Sequence, residues 1–363
     1  MLPYIISFVI SCILFAFAKE GRQENRNILS FLGILPTAII AGCRDISIGT
    51  DTDNYPYFVF LECRHANSLS SAFRYIGNMV EKFYVYLAYF SSRVSDDFNM
   101  FLFLCHLLML GTLLVAFRKF KINVAIAFSF FYLILFATSL NAARQFLAIP
   151  FCLLSLAFFT QKKIVMAAIS MFIAYGFHHS SLFFVVIHLL YFASSYYYVG
   201  MSSTRNQLLI SFAIVFGIVF LAELLEVFVG WGVADNKYLT RYGDSEKYGS
   251  SFPRAMFVLT CFNYFIMSVL VKNKEKTPFL LFTKYVMQIA ILFCLSGLVS
   301  TFAARLNLYF IITSTVCLAY VLRMCRYRYL LEITSVYMLY WFLVVTVANL
   351  GETYPYTSII LGI

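Results

Sequence analysis

Charge is what this chain lacks most: Asp, Glu, Lys and Arg together supply 12% of its 363 residues, and hydrophobic residues supply 62%. So little charge excludes an ordinary soluble domain, in which about a quarter of residues are charged. Strand-like alternation over ~10-residue segments is also missing, which excludes a membrane β-barrel. What remains are apolar runs of about 17–22 residues, long enough to cross a hydrocarbon core of about 30 Å. Spanning backbone must satisfy its own hydrogen bonds, so these runs are helices. The expected fold is all-α and polytopic, with about twelve spans near 2–18, 27–43, 98–117, 122–140, 146–160, 164–177, 182–199, 208–229, 254–271, 279–299, 306–322 and 329–347.

Further absences narrow the chemistry. There is no Walker loop and no dinucleotide fingerprint, which counts against ATP- or NAD-driven reactions. No HExxH motif, CxxC pair or carboxylate–histidine spacing is present, so no metal and no other cofactor is expected. The nine cysteines are odd in number and lie mostly within apolar runs, which is not a disulfide framework. Cys43 and Cys63 flank one loop, and two unpaired thiols are the favoured reading there. The first segment, LPYIISFVISCILFAFA, lacks a basic n-region and a small-residue cleavage site and reads as a retained helix. No internal repeat, Gly/Ser linker or low-complexity block divides the chain, so residues 1–363 read as one membrane domain.

The charge that is present is sorted by side. Alternate connections are basic: KEGRQENR, RKFK, QKK, Thr204–Arg205, KNKEK and RMCRYR. The positive-inside rule places these in the cytoplasm and both termini outside. On that assignment the inner side holds 16 of the 27 basic residues but 4 of the 17 acidic ones. The net +10 therefore encodes orientation, and no basic–aromatic pattern points to nucleic acid. The two longest connections, 44–97 and 230–253, are both outside. Within the first, SSAFRYIGNMVEKFYVYLAYFSSR reads as an amphipathic or re-entrant helix.

Arginines on the outer side are not needed for orientation. Arg44 opens the first outer loop, Arg144 starts one span in NAARQF, Arg305 starts another in TFAARLNLYF, and Arg241 lies in the second long loop. A guanidinium fork matches phosphate oxygens with two parallel hydrogen bonds, and free N–H groups at a helix start add to the attraction. These four arginines, with Gln145 beside Arg144, form a candidate substrate-binding set for a phosphate-bearing lipid. Snorkelling to headgroups or pairing with a local carboxylate is the structural alternative for each one.

Two polar islands supply candidate bases. In RDISIGTDTDNY, Asp51 and Asp45 can hydrogen-bond a hydroxyl, whereas Asp53 reads as a turn residue; a compact turn built on Gly49 and Asn54 is the alternative. In GFHHSSLF, His178 is a base or hydrogen-bond donor, with capping-loop packing as its alternative. His106 and His188 lie inside spans and read as packed polar residues.

Taken in order, RDISIGTDTDNY, NAARQFLAIPF, GFHHSSLFF, AARLNLYF and the terminal ETYPYTS resemble the EpsG family of bacterial polysaccharide polymerases, related in role to the Wzy O-antigen polymerases. The resemblance covers most of the chain. One departure is the doubled histidine, where the family often has a single ring before the serine. The resemblance implies a glycosyltransferase on the outer face of the bacterial inner membrane. Its donor and acceptor would be undecaprenyl-diphosphate-linked oligosaccharides, with membrane lipids and a chain-length regulator protein as further candidate partners. The rivals are an O-antigen ligase, a flippase for the lipid-linked oligosaccharide and a membrane O-acetyltransferase. A flippase should carry charge through the middle of its bundle, and here the midplane stretches are nearly charge-free.

Overall fold

A computed structural model describes residues 1–20, 23–77, 79–230, 251–272, 277–296 and 301–363. Among the described residues every regular element is helical, as expected for a polytopic membrane protein. Among the described residues ten helices are long and apolar enough to cross a membrane, and two shorter apolar helices, Ile164–Phe177 and Thr204–Phe220, lie at the two remaining expected spans.

The chain forms two compact units, Met1–Phe184 with Leu331–Ile363, and Val185–Leu330. The first opens with α1 (Leu2–Glu20) and α2 (Gln23–Cys43), which pack on one another. Three short helices follow, α3 (Tyr55–His65), α4 (Leu69–Ile76) and α5 (Lys82–Val94), then the long α6 (Phe98–Lys119). The segment read as one amphipathic or re-entrant helix is thus two, split at Gly77, with Ser68 and Ser71 closing a capping box at the start of α4. Asp97 caps α6 by accepting from the Asn99 N–H, and Asn123 caps α7 (Val124–Phe131) by accepting from the N–H groups of Ala125 and Ile126.

A π-helical turn at Tyr132–Phe136 joins α7 to α8 (Ala137–Asn141). Ala142, at φ −84° and ψ 53°, breaks the helix. Beyond it run α9 (Ala143–Thr160) and α10 (Ile164–Phe177), and a 3-10 turn, His179–Phe184, closes this stretch. The second unit holds α11 (Val185–Tyr196), α12 (Tyr198–Met201), α13 (Thr204–Gly230), α14 (Ser251–Val271), α15 (Pro278–Ser296) and α16 (Thr301–Met324). The chain then returns to the first unit through α17 (Leu330–Phe342), whose Tyr337 ring meets Phe130 edge-on at 4.8 Å.

The first unit has two chemically different ends. At one, Arg118 donates to the Arg26 carbonyl (3.3 Å) and Gln161 donates to the Lys119 carbonyl (3.0 Å), so three basic connections meet. At the other, the Tyr4 hydroxyl donates to the Thr353 carbonyl (2.8 Å), Tyr356 to the Ile40 carbonyl (2.9 Å), and Asn99 to the carbonyls of Gly42 (2.6 Å) and Arg44 (2.9 Å). The ends sorted together by charge are therefore also together in space. All nine cysteines are free, Cys43 and Cys63 included.

Candidate functional site

The end of the first unit remote from the basic connections carries two linked polar clusters. The first is built on the loop after α2. Gly49, at φ +94°, turns the chain so that its N–H donates to the Glu352 carbonyl (3.3 Å), while the Thr50 N–H donates to the Gly351 carbonyl (3.3 Å). Asn141, the last residue of α8, accepts from the Thr50 hydroxyl (3.2 Å) and the Asp51 N–H (3.4 Å) and donates to Gly351 (3.1 Å). Asp45 accepts from the Ile359 N–H (2.9 Å) through Oδ1, so its carboxylate fastens the C-terminal segment.

Arg44 is 1% exposed. Its guanidinium donates to the carbonyls of Ala41 (2.5 Å) and Leu140 (3.0 Å), bridging the end of α2 to the end of α8. Burial draws its pKa down to about 10, which leaves it charged at neutral pH.

The second cluster centres on Glu81, at the N-terminal boundary of α5 and 7% exposed. A carboxylate with so little water needs charged and hydrogen-bonding partners. Arg144, in the first turn of α9, donates from Nη1 to Oε2 at 2.6 Å. His178, in extended conformation just past α10, sets Nδ1 2.9 Å from Oε1, and the His179 N–H donates to the same oxygen at 3.3 Å. Burial alone would raise the Glu81 carboxyl. The His178 hydrogen bond and the charges of Arg144 and His178 outweigh it and hold the carboxyl at about 2. Tyr55, opening α3, lays its ring 4.4 Å from the Arg144 guanidinium carbon. That cation–π contact fixes the plane of the fork.

Arg144 and His178, found separately in the sequence, are thus brought to one carboxylate. Gln145, next to Arg144, is buried on α9. Arg44, Asp45 and Asp51 belong to the first cluster, joined to the Glu81 cluster by the short step from Asn141 to Arg144. Arg305 is exposed in the first turns of α16, in the second unit. Arg241 lies outside the described residues, as does most of the 230–253 loop. Among the described residues no three His, Cys, Asp or Glu side chains gather as a metal site requires. Sequence reasoning missed Glu81, Tyr55 and Asn141. The available signal was an outer arginine at a helix start, which requires a carboxylate nearby.

The family model for EpsG, the EpsG family, matches residues 27–358. The chain belongs to the EpsG family. That span takes in the Gly49–Asn141–Gly351 knot and the Glu81 cluster alike. EpsG is a Wzy-like polymerase family, so membership carries a polysaccharide-polymerase type of role in a multi-pass membrane protein. No curated protein and no solved structure matches this EpsG chain significantly.

Proposed function

We propose that the protein is a glycosyltransferase that polymerises undecaprenyl-diphosphate-linked oligosaccharide repeat units on the outer face of the bacterial inner membrane, releasing undecaprenyl diphosphate. The observation that carries this reading is the convergence of Arg144, Glu81 and His178 at the end of the first unit opposite its basic connections. A reaction that moves a glycan off a diphosphate needs a cation for the leaving group and an acceptor for the attacking hydroxyl's proton. An arginine oriented by a carboxylate and an aromatic ring, beside a histidine, supplies both kinds of group. The glycosyl–diphosphate bond already stores the driving energy, which fits a sequence without a nucleotide-binding loop. Arg44 supports this site by holding the ends of α2 and α8 in place through their carbonyls.

The test uses purified protein in liposomes with synthetic diphospholipid-linked repeat units. Products of increasing length, with free polyprenyl diphosphate appearing in step, are expected. A single transfer to lipid A core alone would make it a ligase. Movement of intact substrate between leaflets without lengthening would make it a transporter.

A further inference from the structure

Glu81 joins the arginine of the site to its histidine. Its two oxygens divide the work. Oε2 takes the Arg144 fork at 2.6 Å, and Oε1 takes the His178 ring at 2.9 Å and the His179 N–H at 3.3 Å. The groups facing His178 come from several elements: Glu81 before α5, Arg144 from α9, Tyr55 from α3 through its stack on Arg144, and His179 from the turn itself, itself packed on Tyr175 at 4.6 Å. Lys82, beside Glu81, is exposed.

We propose that Glu81 is the positioning residue of this site: it holds His178 with Nδ1–H donated to its carboxylate, so that Nε2 is the atom that accepts the proton of the acceptor-sugar hydroxyl. The inference rests on the glycan-transfer reading above. A carboxylate on one ring nitrogen fixes the tautomer and stabilises the imidazolium that forms on the other side. The balance is closed. The acceptor oxygen bonds to the donor's anomeric carbon while its proton passes to Nε2. The carbon–oxygen bond to the diphosphate breaks, and the electron pair leaves with undecaprenyl diphosphate. The same carboxylate turns the Arg144 fork, so one anion sets both the proton acceptor and the phosphate-facing cation. Because Glu81 stays ionised, Arg144 and His178 can carry charge together without repelling one another across an empty gap.

Two readouts test this on the full chain. In the first, carbethoxylation of His178 by diethyl pyrocarbonate is followed against pH by fragment mass spectrometry in the wild type and in Glu81→Gln. The substitution is expected to lower the His178 midpoint by about one pH unit or more. In the second, chain lengthening is expected to fall at least ~10-fold in Glu81→Gln, to recover in part in Glu81→Asp, and to fall by a smaller factor when Glu81→Gln is added to His178→Ala than when it is made alone, because only the Arg144 part of its work then remains to be lost. A His178 midpoint that Glu81→Gln leaves unmoved, or losses that simply multiply in the double variant, would overturn the proposal. If Glu81→Gln does not fold, Glu81→Ala is titrated in its place, with the same drop in midpoint expected. If the wild type lengthens nothing, the polymerase reading fails while the titration still judges the Glu81–His178 pairing.

Discussion

A carboxylate that sheds its water keeps its charge only if other groups replace that water, and Glu81 has three such groups. The consequence is measurable in acid. Its folded carboxyl is held at about 2, below its ordinary 4.5, so its contribution to stability is present above about 4.5 and is lost as pH falls towards 2. Thermal unfolding in detergent should therefore be insensitive to this group from pH 7 to 5 and weaken from 4.5 downward; Glu81→Gln should flatten that acid slope. Arg144→Lys tests the neighbouring group. Lysine keeps the charge but loses the fork that grips Oε2 and the flat face that stacks on Tyr55. Lengthening is expected to drop roughly 10- to 100-fold at unchanged expression, the scale of one lost charge-assisted contact at about 1.5–3 kcal/mol. Arg144 and His178 were legible in the sequence because each breaks an apolar pattern. Glu81 was not, because next to Lys82 it looks like any solvated pair on an amphipathic surface, and only the packing of α5 against α10 takes it out of water.

At the scale of elements, the polar loop after α2 is explained by what it grips. Gly49 and Gly351 face one another across Asn141, and both have positive φ, +94° and +70°. A Cβ on Gly351 would collide with the Asn141 amide, and one on Gly49 would stand 2.8 Å from the Thr52 hydroxyl and 3.0 Å from Asn141 Oδ1. Gly351→Ala and Gly49→Ala are each expected to destabilise, by about 1–2 kcal/mol from backbone strain alone, with the collision adding most at Gly351. The check is melting of purified protein, with Gly77→Ala as the control: Gly77 also has positive φ, but an added Cβ there would meet nothing within 4 Å. The sequence made the turn legible through its Gly, Asn and Asp residues. It could not show the partner, because residues 49–51 and 351–352 lie some three hundred positions apart in the sequence and meet only in the folded chain. Likewise, the short helices α3, α4 and α5 fall below the length that a hydropathy reading recognises as a span, so the connection that carries Tyr55 and Glu81 read as an outer loop holding one amphipathic or re-entrant helix rather than three helices. The spans themselves were legible because lipid imposes one length and one polarity on each of them.

For the whole molecule, the question is which end faces the cytoplasm, and charge and packing bear on it independently. Charge sorting uses only counts of Lys and Arg beside the spans. Packing uses only contacts, and within the first unit it places Arg26, Arg118, Lys119 and Gln161 together at one end, with Thr353, Tyr356, Asn141, Glu81 and His178 among the polar contacts of the other. Had one span been miscounted, the alternation would have inverted beyond it and basic connections would have mixed with the Glu81 end. They do not mix in this unit, so an error in the charge reading would have to invert the unit as a whole. Labelling decides that. Asp53 and Lys162 are exposed residues in turns at opposite ends of the unit. On a background with all nine native cysteines replaced, a membrane-impermeant maleimide added to intact cells should tag Asp53→Cys and leave Lys162→Cys unlabelled until the cells are opened. The opposite pattern would put Arg144, Glu81 and His178 on the cytoplasmic face. The proposed outer-face reaction would then fail, and an enzyme acting on lipid-linked precursors at the cytoplasmic face would take its place.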